Sequence, residues 1–105
     1  WNKSARQIFN QIRALDPTPG AFTYLDENVL KIWNSEVVDL EENFSSKKVG
    51  TIIKQDKKYI YILCGKNTVL KVKELQISGK KRMPVVNFLS NKKDYVGTIL
   101  GGINE

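Results

Sequence analysis

Two hydrophobic rhythms divide the chain. Between Ser4 and Leu15 the apolar residues Ala5, Ile8, Phe9, Ile12 and Leu15 recur at spacings of three and four, the period of a helix that buries one face. Ser4, with Gln7 three residues on, forms a capping box at its start. Arg6, Asn10 and Arg13 share an exposed flank of the same helix. The stretch Asp16 to Phe22, DPTPGAF, then reverses the chain: its prolines hold Asp16 and Thr18 extended, and Pro19-Gly20 supplies the central pair of a type II turn. From Ala21 the rhythm shortens. Ala21 to Leu25, Val29 to Trp33, Val37 to Leu40, Val49 to Ile53, Tyr59 to Cys64 and Val69 to Leu75 are brief apolar segments divided by polar or turn-forming residues. Short strands at this spacing predict a small antiparallel barrel behind an N-terminal helix.

Period two assigns faces within the strands. Ile60 and Ile62 face inward and Tyr59 and Tyr61 the other way, where their rings either pack under a loop or offer flat faces to bases. Leu70 and Val72 likewise oppose Lys71 and Lys73. The chain turns at Ser78 and Gly79, exposes Lys80, Lys81 and Arg82, and becomes apolar again at Met83. Burying three unpaired cations would cost more than a small domain can supply, so this loop faces water or a polyanion. Pro84 is preset for the first position of a helix, and Val85, Phe88 and Leu89 follow at helical spacing. Alone, the loop reads equally as a solvated turn or an anion site.

Charge shifts that balance. Lys and Arg number 17 against 11 acidic residues, a net +6, so the long-range field draws anionic partners. Two further basic pairs, Lys47 with Lys48 and Lys92 with Lys93, flank the strands and the short helix, and Arg13 adds a cation on the first helix. Catalytic chemistry finds little purchase. The chain has no histidine, which removes the usual general base and the commonest metal ligand, and no metal site is expected. Glu41 and Glu42 lie in a polar loop with Asn43, Ser45 and Ser46, and Asp26 and Glu27 in a turn. The single cysteine, Cys64, ends an apolar strand and reads as a small packed side chain. No apolar run reaches the length of a membrane span. At 105 residues the chain suits one domain. The tetrapeptide VGTI occurs at Val49–Ile52 and Val96–Ile99, but four residues with unlike flanks do not mark an internal repeat.

WNKSARQIFNQIRALDPTPGAF, VLKIW, VGTI and ELQISGKKRMPVVNFL follow one another in an order and spacing that resemble the carboxy-terminal domain of the methionyl-tRNA formyltransferases, from Trp1 to about Leu100. IRALDPTPGAF and ELQISGKKRM at this separation carry the resemblance. It implies an OB-like antiparallel barrel with an N-terminal helix and a short C-terminal helix, belonging to an enzyme that formylates the methionyl amino group of initiator tRNA from 10-formyltetrahydrofolate. The family's catalytic Asn, His and Asp and its folate pocket lie in an amino-terminal Rossmann-like domain that these residues do not include. The implied partners are therefore initiator tRNA and that catalytic domain, with no membrane and no cofactor held here, in a monomeric bacterial cytoplasmic enzyme or a mitochondrial or plastid one. The match places the family's basic tRNA-facing surface on Lys80 and Lys81 and, next, on Lys92 and Lys93. With the basic residues read above, the expected tRNA-binding set is Lys80, Lys81, Arg82, Lys92, Lys93, Lys47, Lys48 and Arg13. Pro84 departs from the family, which often has Ser or Thr there. Nucleotide-sugar formyltransferases and formyltetrahydrofolate dehydrogenase carry similar barrels, so a purely structural domain of such an enzyme is the alternative; ELQISGKKRM favours the tRNA enzyme.

Overall fold

A computed structural model describes residues 1–16, 20–91 and 93–101. Helix α1 spans Ala5–Leu15 and begins with the expected capping box: the Gln7 amide donates to Ser4 Oγ at 3.3 Å and the Ser4 amide to Gln7 Oε1 at 3.0 Å. Two of the four amides that a helix start leaves unpaired are thereby satisfied. Ala5, Ile8 and Ile12 are buried, with Phe9 and Leu15 packed against the core. The prolines and Thr18 of the predicted turn lie outside the described residues. Gly20, at φ +84°, closes the connection by donating its amide to the Leu15 carbonyl at 2.9 Å.

The strands are β1 (Ala21–Leu25), β2 (Asn28–Val38), β3 (Ile52–Gln55), β4 (Ile60–Cys64), β5 (Thr68–Ile77) and β6 (Met83–Pro84). The short helix α2 (Val85–Phe88) follows, continued by a 3-10 turn at Leu89–Asn91. Pro84 starts α2 without any side-chain cap bond, as its departure from Ser or Thr requires. All pairings are antiparallel, in the order β1-β2-β5-β4-β3 with β6 also on β5. The mainly β architecture is as the pattern predicts, but the sheet is not closed. β1 and β3 remain its edges, and the C-terminal segment runs between them: the Ile52 amide donates to Thr98 O at 2.8 Å, and that of Gly101 to Tyr24 O at 2.9 Å.

Two boundaries and one burial pattern differ from the expectation. The expected strands Val29 to Trp33 and Val37 to Leu40 are one strand, β2, interrupted by a bulge. Pairing slips between Ile32 and Asn34 and again between Asn34 and Ser35, leaving Trp33 unpaired on β2 and Lys73 unpaired on β5. One extra residue reverses the face on which later side chains fall. Leu30 and Ile32 are buried before the bulge, and Ser35 after it, whereas Asn34 is exposed. The strand expected from Val49 begins at Ile52, because the first VGTI forms a turn. Both copies do: the Thr51 amide donates to Lys48 O and that of Thr98 to Tyr95 O, with Gly50 at φ +89° and Gly97 at φ +92°. A glycine at the third position of such a turn takes a conformation costly to other residues. The two tetrapeptides also pair antiparallel through Thr51 and Ile99, so their likeness reflects one turn used twice on facing segments. Finally, β4 is buried along its whole length: Tyr61 lies opposite the core isoleucines yet is only 7% exposed.

The core lies between α1 and the sheet and gathers Ile8, Ile12, Leu30, Ile32, Ile62, Leu70 and Val85. Trp1 belongs to it, donating its indole N–H to Thr23 Oγ1 at 3.1 Å. Cys64 is packed as expected, and its burial pushes the thiol up to about 12. Among the described residues no helix is long and apolar enough to cross a membrane.

Candidate nucleic-acid interface

The β5–β6 loop supplies the first cations. Gly79 at φ +81° turns it, the Lys80 amide closes the turn on Ile77 O at 2.9 Å, and Gln76 Nε2 donates to Lys80 O at 3.0 Å. Lys80 and Lys81 project into solvent from this fixed frame. Arg82 does not stand free beside them. Its Nε and Nη2 both donate to Glu74 Oε1, at 2.7 and 2.6 Å, and its guanidinium lies 4.8 Å from the Trp33 ring centroid. A fork shared with one carboxylate and laid on an indole is a positioned group, less available to phosphate than the adjacent lysines.

The other predicted cations take separate positions. Lys47 and Lys48 are exposed in the turn before β3, where Lys47 borders a cleft with Phe44, Lys66 and Asn67. The loop holding them is tethered: Asn67 Oδ1 accepts the Phe44 amide and its Nδ2 donates to Glu42 O, both at 2.7 Å. Lys93 is exposed, its Nζ 5.3 Å from the Tyr95 ring centroid, and its carbonyl accepts from Gln55 Nε2 at the end of β3. Lys92 lies outside the described residues. Arg13 is exposed on α1 and, with Arg6, covers the Phe9 ring at 5.5 and 5.4 Å. Arg13 and Arg82 line one cleft, together with Asp16, Trp33 and Ser35. That is the one convergence among the described predicted residues that a shared cleft records.

Strand register assembles a basic surface that adjacency in the sequence does not reveal. Lys54 on β3 pairs with Tyr61 on β4, Tyr61 with Lys71 on β5, and Lys71 with Glu36 on β2, so four side chains form a row across the outer face. Lys54 Nζ lies 5.1 Å from the Tyr61 ring centroid and Lys71 Nζ 4.7 Å from that of Tyr59. Lys71 and Lys73 reach Glu36 Oε1 at 3.2 and 3.9 Å. Lys57 and Lys58 add exposed charge in the β3–β4 turn. Five lysines thus surround two tyrosines, with Glu36 and Asp56 as the acidic residues of the patch. Its sequence signal was the alternation of lysines on β5 and tyrosines on β4; the row itself depends on register.

Asp56 shapes this surface. Its Oδ1 accepts the Lys58 and Tyr59 amides at 2.9 and 2.8 Å, and its Oδ2 the Tyr61 hydroxyl at 2.7 Å. Partial burial raises the carboxyl, but the Tyr61 hydrogen bond, the two amides and the Lys54 charge outweigh it and hold it below its usual range. Burial, and then the bond to Asp56, push the Tyr61 phenol up to about 12. Both groups therefore keep fixed protonation states near neutrality. The tyrosines are rim packing under lysine stems, and the ammonium groups above them are the accessible chemistry.

Comparison with known proteins identifies the family of the chain. A family model described as "Formyl transferase, C-terminal domain" matches residues 1–93. Proteins named methionyl-tRNA formyltransferase from Staphylococcus aureus strains Newman and JH1 are 42% identical over 94 residues, 90% of this chain and 29% of theirs. This chain therefore spans less than a third of the length of those relatives. The chain belongs to the formyl transferase C-terminal domain family.

Proposed function

We propose that this domain grips initiator methionyl-tRNA by its phosphate backbone and aims the acceptor end at an amino-terminal catalytic domain, which transfers the formyl group from 10-formyltetrahydrofolate. The observation that carries the reading is the lysine surface on β3, β5 and the β3–β4 turn, together with a loop whose Lys80 and Lys81 are exposed. The relatives' name supports the choice of tRNA among polyanions. Lysines on rigid strands bind phosphates with little base selectivity, which suits orientation of a folded substrate. Tethering the domain to the catalytic one makes its weak contacts intramolecular and raises the local concentration of the acceptor end. The remaining predicted cations, Lys47, Lys48, Lys92, Lys93 and Arg13, extend the footprint. Arg82 holds the loop.

Two variants test the assignment: Lys80→Ala with Lys81→Ala, and Lys54→Gln with Lys73→Gln. Each should lower tRNA affinity and flatten the plot of log affinity against log salt by about 0.9 for each phosphate that is no longer neutralised. Unchanged slopes in both variants would remove these surfaces from the interface and favour a domain whose cations serve solubility.

A further inference from the structure

The tip of the β4–β5 hairpin carries a lysine where the backbone does not favour one. Lys66 and Asn67 are its central residues, at φ +60° and +56°, and the Thr68 amide closes the turn on Gly65 O at 3.3 Å. Positive φ at both central positions is the type I′ arrangement, for which Asn-Gly is the usual pair. Asn67 suits it, whereas Lys66 brings a long side chain into a left-handed conformation that disfavours a Cβ. Strain of this kind is held by the surrounding structure and points to a use for the side chain. Asn67 supplies the hold, accepting the Phe44 amide and donating to Glu42 O, both at 2.7 Å. In the facing loop the Lys47 amide donates to Phe44 O at 2.8 Å. Two turns, each with one exposed lysine, are thus fixed side by side.

Between them lies a cleft of about 240 Å³ that Lys47 and Lys66 both line. No carboxylate lines it, and Val49, Leu63 and Cys64 make part of its wall apolar. Neither ammonium group enters an ion pair or a ring contact among the described residues. Glu42 meets the tip through its carbonyl, not its carboxylate. Elsewhere cations are compensated: Arg82 by Glu74, Lys71 and Lys73 by Glu36. Two uncompensated ammonium groups on one concave surface draw an anion. As point charges with three donors each they suit phosphate oxygens, and the exposed Ser45 hydroxyl in the same wall adds a donor. The volume falls below the roughly 300–1,000 Å³ of sites that enclose a whole small molecule, so the cleft fits one group of a larger chain. We infer that the cleft between the β4–β5 hairpin tip and the 44–47 turn is a phosphate site, with Lys47 and Lys66 as its ligands. The inference rests on the tRNA reading in one respect, that the phosphate is a backbone phosphodiester. Lys66 stands outside every basic run of the sequence and enters the footprint through this cleft. The site lies at the start of β5 and the Lys80–Lys81 loop after its end, about 30 Å apart along ten extended residues, so one small phosphate cannot reach both and a folded tRNA can.

The test compares the wild type with a double variant, Lys47→Gln with Lys66→Asn. Asparagine suits the left-handed position, so the variant should keep the turn and melt no lower than the wild type. Inorganic phosphate is titrated into the isotope-labelled chain at an ionic strength held constant with sodium chloride, and the Lys66 and Asn67 backbone amides and the Asn67 side-chain amide are followed by NMR. In the wild type these signals should shift saturably, and in the double variant the shifts should vanish. The plot of log tRNA affinity against log salt should flatten in the variant by about 0.9, the share of one phosphate. A wild-type tip that does not respond to phosphate, or a response that persists in the double variant, would overturn the inference. A phosphate response at the tip with an unchanged tRNA slope would overturn the phosphodiester assignment and give the site to a small phosphate. Salt-dependent tRNA binding with a silent tip sinks this inference alone, and a responsive tip on a chain without affinity for tRNA sinks the tRNA reading alone.

Discussion

Replacing Gly65 with alanine should be among the most damaging single-methyl changes in this domain. Gly65 follows β4 where the first residues of the chain cross it, and its amide donates to Lys3 O at 2.8 Å. An added Cβ would overlap the Asn2 carbonyl oxygen and stand 2.7 Å from its carbon, both backbone atoms that cannot rotate away. Relief requires shifting residues 1–4. That segment carries the buried Trp1 with its bond to Thr23 and leads into the Ala5 amide, which donates to Thr68 Oγ1 at 2.8 Å. Overpacking alone costs about 1–3 kcal/mol, and each broken hydrogen bond adds about 1 kcal/mol. A loss of about 3 kcal/mol is a large part of a typical stability of about 5–15 kcal/mol. Urea unfolding followed by tryptophan fluorescence measures it, since Trp1 and Trp33 are the only tryptophans. Gly97→Ala is the control: φ is +92° and nothing lies within 4 Å of the added carbon, so only the left-handed backbone term of about 1–2 kcal/mol applies. A Gly65→Ala loss no greater than that of Gly97→Ala would refute the reasoning.

Three further outcomes follow from the site. Arg82→Ala should lower stability by no more than about 1 kcal/mol, because the pair with Glu74 is partly exposed, and should flatten the tRNA salt slope less than the Lys80 and Lys81 replacement does. A slope change as large as that of the lysines would return Arg82 to the phosphate contacts. Asp56 has a folded-state carboxyl below 3.8, so its contribution is present above that pH and is lost as the pH falls through the folded value. Melting temperatures of the wild type and Asp56→Asn should therefore converge in strong acid and separate toward neutrality, and a constant gap would contradict this linkage. Cys64, 1% exposed with its thiol raised to about 12, should resist a thiol reagent at pH 8 until the domain unfolds. Fast labelling of the folded chain would show that the strand end opens.

What the sequence made legible was local chemistry. The capping box at Ser4 and Gln7, the α1 stripe, β1 and the Ser78-Gly79 turn depend on neighbouring residues, and each stands where periodicity placed it. Long-range pairing was not legible. The bulge at Trp33 makes one strand read as two, because the inward face changes from Ile32 to Ser35 after an odd step. Tyr61 is buried on the outer face because Lys54 and Asp56 cover it, partners set by the β3–β4 register and turn. For the same reason the row Lys54, Tyr61, Lys71 and Glu36 escaped selection, while runs such as Lys80-Lys81-Arg82 drew attention by adjacency. Adjacency also hides a difference within that run: Arg82 finds Glu74, eight positions back and across the β5–β6 pairing.

The central claim is that this domain holds tRNA through its lysine surface. Its most direct test is a titration of the chain with folded initiator tRNA across a range of salt, with heparin and double-stranded DNA as controls. The account predicts dissociation constants of about 10⁻⁴ to 10⁻⁶ M at physiological salt, weakening steeply as salt rises, with tRNA preferred over both controls. No binding, or equal binding to all three polyanions, would contradict it.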